Sequence, residues 1–323
     1  MISANRKKQI RKASQSLENG APARFKFIVT GFNSFGKNLE NPSGLTAISL
    51  PSELTVGHHL VEIQGMLLET CCKNGWNAVR KALIRAIGGR RPEKHAAQKA
   101  LSTVPSGKNT GSQPKDHVVL IMMGLAALRS TLNLERLAVN VRDYPIKDNH
   151  GHQYDGEEIL PGPLALKTDF PLHELRKKLK AKGFPSVISN HAGTFVCNDI
   201  YYQSLNFQIE NGAPDLVLFV HVPPARVFAE TVRERGKKTR VAGKRLTKVR
   251  QIELMQESIL EVIKFSVNHL VDKTAATAPF TTEVKAPVRR AARSLEKPVA
   301  KKQASSRAVK SIATRTRVPK RTG

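Results

Sequence analysis

Four short apolar runs constrain the fold more than any other feature: Phe25 to Thr30, Val118 to Met123, Val187 to Asn190 and Leu216 to Val222. Each is continuously or nearly continuously apolar, the pattern of a strand covered on both faces rather than one with a wet side. Between them, apolar residues recur at helical spacing. Trp76, Val79, Leu83 and Ile87 form one set, Leu172, Leu175 and Leu179 a second, and Ile252, Met255, Ile259, Val262 and Ile263 a third. Strands of this kind alternating with helices predict an α/β fold, a three-layer αβα sandwich around a twisted, mostly parallel sheet. Trp76 reads as a packing residue.

The chain has 323 residues and is 40% hydrophobic, enough for a substantial core, yet its net charge is +27. The excess is local. A basic arm is expected over 1–23, with Arg6, Lys7, Lys8, Arg11 and Lys12, and a basic tail over 273–323. A folded domain is expected over 24–272, interrupted by basic inserts at about 88–115 and 233–250. These segments imply nonspecific contact with polyanions, nucleic acid included. The tail has no aromatics interleaved with its basic residues, so base stacking is unsupported. No run approaches the roughly 20 apolar residues that span a bilayer, so no membrane partner is expected. Only three cysteines occur, Cys71, Cys72 and Cys197, which provides neither a disulfide framework nor a zinc-type CxxC pair. The cytoplasm is the expected compartment, with mitochondrion or nucleus as alternatives raised by the basic termini.

Gly- or Pro-marked sequences follow each apolar run. They are Gly31-Phe32-Asn33-Ser34-Phe35-Gly36, Gly124-Leu125-Ala126, His191 to Cys197, and Val222-Pro223-Pro224 directly after His221. Open α/β sheets bind ligands at the carboxyl ends of their strands, so these four are expected to converge on one rim. Cys197 opens a helix running through Ile200, Leu205 and Ile209, where the positive helix end would lower a thiol's pKa and free N–H groups would meet an oxyanion. His221 has the position of a general base, and Glu135 that of its orienting acid. Each has a plainer reading: an inert buried thiol, a core histidine, a surface ion pair with Arg136. Residue types and spacing alone leave an α/β domain with a thiol-enzyme candidate.

The segment Ser189-Asn190-His191-Ala192-Gly193-Thr194-Phe195-Val196-Cys197-Asn198 closely resembles the cysteine signature of the pyroglutamyl peptidase I family. Thr30 to Gly36 with Asn41-Pro42-Ser43, Gly124 to Asn140, and His221-Val222-Pro223-Pro224 join it in the family's order. The resemblance covers roughly Phe25 to Val271. It implies a phosphorylase/hydrolase-like fold and a cysteine peptidase that removes N-terminal 5-oxoproline from peptides, with Cys197 as nucleophile, His221 as base and Glu135 as orienter. It further implies an apolar wall of Phe32, Phe35, Ile146, Phe195 and Val196 around the lactam ring, and oxyanion support from Arg129 or Arg142. No cofactor and no metal are implied, pyroglutamyl peptides are the implied substrates, and a homo-oligomer is left open. The chain departs from the family pattern at Ser34, at Leu125, at Ala127-Leu128 before Arg129, and at Pro145, where bacterial members carry an arginine.

Overall fold

The computed structural model describes residues 23–36, 40–88, 116–236 and 246–277. Nearly all of the basic arm and of the first insert lie outside these residues, as do the middle of the second insert and most of the tail.

Seven strands form one sheet: β1 (Arg24–Phe32), β2 (Glu53–Val56), β3 (His59–Leu68), β4 (His117–Leu125), β5 (Leu132–Glu135), β8 (Ser186–Ser189) and β9 (Leu216–Val222). Their spatial order is β2-β3-β1-β4-β9-β5-β8. Four of the six pairings are parallel, and β2–β3 and β5–β9 are antiparallel. β6 (Leu137–Val139) and β7 (Ala165–Lys167) make a separate antiparallel pair. The apolar runs at 25–30, 118–123 and 216–222 became the adjacent central strands β1, β4 and β9, and every residue of β9 is buried.

Among the described residues, six helices cover the sheet: α1 (Pro42–Ile48), α2 (Cys72–Ala86), α3 (Leu172–Ala181), α4 (Val196–Asn211), α5 (Ala225–Gly236) and α6 (Lys248–Thr277). One apolar layer contains Ala47 of α1, Leu175 and Leu179 of α3, Phe228 of α5, and Met255, Ile259, Val262 and Ile263 of α6. The opposite layer contains Val79 and Leu83 of α2 with Ile200 and Leu205 of α4. The result is the expected αβα sandwich. Trp76 is half-buried, edge-on to Phe207 with ring centroids 6.1 Å apart. No helix among the described residues is long and apolar enough to cross a membrane.

Three sequence boundaries fall inside helices. The expected insert 233–250 supplies the end of α5 and the first turn of α6, and α6 runs five residues past the expected boundary at 272.

The four marked sequences do meet, but not as the carboxyl ends of four strands. β8 runs parallel to β5, which is antiparallel to β9, so the carboxyl end of β8 points away from those of β1, β4 and β9. Three strand ends form the rim. Residues 190–195 carry the chain back from β8 to the start of α4.

Candidate active site

Strand register alone brings two of the expected residues to one face. Glu135 stands opposite Phe219 across the β5–β9 ladder, and His221, two residues further on, points the same way. The diagonal pair closes to a hydrogen bond of 2.8 Å between His221 Nδ1 and Glu135 Oε1. Glu135 is fully buried and His221 nearly so. Arg129 Nη1 donates to the same carboxylate oxygen at 3.1 Å, which compensates a charge that would otherwise be isolated in the core. Tyr201 Oη donates to the Glu135 backbone carbonyl at 2.9 Å and ties the end of β5 to α4.

Register also brings in the thiol. Gly124 on β4 stands opposite His221 on β9. The Cys197 sulfur occupies the space above it, 2.8 Å from where a Cβ on Gly124 would be, with the Phe219 ring 3.0 Å from the same point. A glycine is needed there for the close approach, whatever its backbone angles. Cys197 is the second residue of α4, next to N–H groups with no acceptor inside the helix.

The thiol's state differs from the sequence expectation. Burial, joined by the nearby Glu135 carboxylate, pushes Cys197 up to about 12. Its own backbone N–H acts in the opposite direction, as a helix start should, but the desolvation is larger. Burial thus favours the neutral form of the Cys197 thiol.

The expected pocket residues divide into two groups. Phe35 and Phe195 face each other with centroids 5.2 Å apart, and Tyr144 approaches Phe195 at 4.6 Å. Ile146 is exposed. Phe32 and Val196 instead belong to the core, buried beside Ile28, Leu120 and Ile200. The loop bearing Phe35 is tied down by side-chain amides. Asn33 Oδ1 accepts from Thr70 N at 2.9 Å and from Asn149 Nδ2 at 3.2 Å, and that same nitrogen donates to Ser34 O at 3.1 Å. Asn41 Nδ2 donates to Asn33 O at 3.1 Å. The sequences around 30–36, 41–43 and 146–149 thus meet in one hydrogen-bonded corner.

Both candidate arginines are engaged by carboxylates. Arg129 is held by Glu135, and Arg142 forms a two-pronged ion pair with the buried Asp199. Asp199 also accepts from Tyr144 Oη at 3.0 Å and Gln203 Nε2 at 2.6 Å. Arg142 therefore braces the first turn of α4 two residues past the thiol. The sequence reading missed Asp199. Its signal was an acid in the first turn of the helix that Cys197 opens, where the helix end favours negative charge. Asn198 was missed too: its side chain accepts from Val139 N at 2.9 Å and donates to the Val139 and Val141 carbonyls, which joins α4 to β6.

Comparison with known proteins bears on what such a site belongs to. The chain is 30% identical over 208 residues to the pyrrolidone-carboxylate peptidase of Oceanobacillus iheyensis, a match covering 64% of this chain and 87% of that protein. It is 32% identical to the Deinococcus radiodurans enzyme of the same name, over 64% of this chain and 81% of that one. The chain belongs to the pyroglutamyl peptidase family. The model of that family matches residues 103–243. A shorter stretch of 106 residues is 42% identical to the Pyrococcus furiosus pyrrolidone-carboxylate peptidase and spans 32% of this chain and 51% of that protein. Among solved structures, the Thermococcus litoralis pyrrolidone carboxyl peptidase superposes with a TM-score of 0.57 at 25% identity, over 77% of this chain and 96% of that one. A mutant P. furiosus pyrrolidone carboxyl peptidase does so at 0.56 and 27%, over 76% and 99%. Pyroglutamyl peptidases thus share both the sequence pattern and the mixed sheet of this chain.

Proposed function

We propose that the protein is a cysteine peptidase that removes N-terminal pyroglutamate from peptides, with Cys197 as nucleophile, His221 as general base and acid, and Glu135 as orienter. The observation that supports this most directly is the Glu135–His221 hydrogen bond on the sheet face where Gly124 leaves room for the Cys197 sulfur.

The Glu135 contact holds the proton of His221 on Nδ1, leaving Nε2 unprotonated to accept the thiol proton. The sulfur then attacks the pyroglutamyl carbonyl, and the negative charge on its oxygen is met by the N–H groups at the start of α4. Collapse of this intermediate breaks the C–N bond, and His221 returns the proton to the leaving amine. A thioester remains. Water attacks it with His221 again as base, releasing pyroglutamate and restoring the thiol.

Selection of the lactam follows from polarity. Pyroglutamate has no charged amine, so it enters an aromatic slot between Phe35 and Phe195 without the desolvation cost of a free N-terminus. Beside the rim, a cleft of about 480 Å³ lined by Pro42, Leu45, Leu125, Pro224 and Ala225 gives the leaving peptide room to extend.

The test is release of a fluorescent amine from a pyroglutamyl-coumarin substrate under reducing conditions. Wild type should turn over and Cys197→Ala should not, with both proteins folded by circular dichroism. Turnover by Cys197→Ala would remove the nucleophile assignment, and inactive wild type would remove the peptidase reading.

A further inference from the structure

Away from the catalytic thiol, Cys71 at the start of α2 meets two side chains of one distant loop, Asp148 and His152. Cys71 Sγ lies 3.9 Å from His152 Nδ1, and that nitrogen lies 3.2 Å and 3.3 Å from the two oxygens of Asp148. The three ligand atoms all fall within 4.8 Å of one another. A tetrahedral zinc ion, with bonds of about 2.3 Å to sulfur and about 2.0–2.1 Å to nitrogen and oxygen, holds its ligand atoms roughly 3.3–3.6 Å apart. The nitrogen–oxygen spacings of 3.2 Å and 3.3 Å lie near the low end of that range, and the sulfur–nitrogen spacing of 3.9 Å a little above it.

Part of this arrangement is ordinary loop chemistry. Asp148 Oδ1 accepts the amides of His150 and His152, both at 2.9 Å, and Oδ2 accepts the Cys72 amide at 3.3 Å. Those bonds fix the carboxylate but do not require a thiol and an imidazole nitrogen to converge on it. Cys71 and Asp148 are buried, whereas the His152 side chain is 30% exposed, which leaves one open side for entry and for a fourth, water ligand.

We propose that Cys71, Asp148 and His152 form a binding site for a thiophilic divalent cation such as Zn²⁺. Binding releases the Cys71 proton to solvent and replaces the contacts among the three side chains with metal–ligand bonds. The site is separate from the peptidase reading and does not depend on it. Its position still matters to the pocket, because Asn149, next to Asp148, is the residue bonded to Asn33 and Ser34. A cation there braces the turn before α2 against the loop bearing Phe35.

The experiment uses the full chain with Cys197→Ser, so that the catalytic thiol does not compete, and Co²⁺ as a spectroscopic probe. We expect one equivalent to bind with a near-ultraviolet thiolate-to-cobalt band and visible bands of tetrahedral intensity, both displaced by Zn²⁺. Adding Cys71→Ser should abolish the near-ultraviolet band, Cys72→Ser should leave it, and His152→Ala, at a half-exposed position that tolerates truncation, should weaken binding at least tenfold. Zn²⁺ should raise Tm, and the rise should vanish with Cys71→Ser. A band that survives Cys71→Ser, binding unaffected by His152→Ala, or no binding at millimolar Co²⁺ would overturn the proposal.

Discussion

At the scale of single residues, the site depends on how one imidazole divides its two nitrogens. Nδ1 of His221 faces Glu135, so in the proposed mechanism Nε2 serves the thiol, and replacing the acid removes the preference for that tautomer. Glu135→Gln should therefore lower kcat by less than loss of the base itself, a contribution of about 10²–10⁴-fold, and leave KM nearly unchanged. The thiol makes a second prediction. With Cys197 pushed up to about 12, its thiolate fraction grows about tenfold per pH unit throughout the range below that value. Its alkylation by iodoacetamide in the free protein should rise accordingly from pH 7 to pH 9 without levelling. A plateau near neutral pH would instead mean a preformed thiolate–imidazolium pair. The proximity of Cys197, His221 and Glu135 was foreshadowed in the sequence because each sits in a distinctive local motif. The cation cluster was not, because Cys71, Asp148 and His152 have no informative spacing and meet only through the packing of two loops.

At the scale of elements, two glycines show how far side chains and backbone differ as neighbours. A Cβ on Gly124 would meet the Cys197 sulfur and the Phe219 ring, both able to shift. One on Gly31 would lie 2.0 Å from the Ser43 carbonyl oxygen, part of the backbone of α1. Gly124→Ala should therefore fold yet lose on the order of 10²-fold in kcat through displacement of the nucleophile, whereas Gly31→Ala should chiefly lower Tm. Activity assays beside thermal melts distinguish the two. The central strands were legible because burial on both faces leaves them apolar throughout. β5 was hidden by Asn133 and Glu135, polar residues that the site places in the interior. β3 was obscured by its alternating exposed positions, Glu62 among those only partly covered. The direction of β8 had no sequence signal, since an apolar run reads the same from either end.

At the scale of the molecule, one layer of the sandwich rests on α6. Its 30 residues span roughly 45 Å. Met255, Ile259, Val262 and Ile263 are fully buried against the sheet, while Arg250 pairs with Glu253 and Glu257 on the outer surface, where such contacts add little. Ile259→Ala should cost about 2–5 kcal/mol in denaturant unfolding with little change in activity per folded molecule, because the site lies on the far face of the sheet. Fold class was recoverable from composition and periodicity, since alternating buried strands and amphipathic helices admit few other layers.

β9 lies between β4 and β5, although it is the last strand of the sheet in chain order. A ribosome delivering this protein therefore releases β1 to β4 first, then β5 and β8, as two groups with no common border. They can join only once residues 216–222 emerge and slot between them. That same insertion carries His221 to Glu135. A nascent chain therefore lacks the Glu135–His221 pair until its sheet is whole, and under the proposed mechanism catalytic competence appears as that long-range pairing forms.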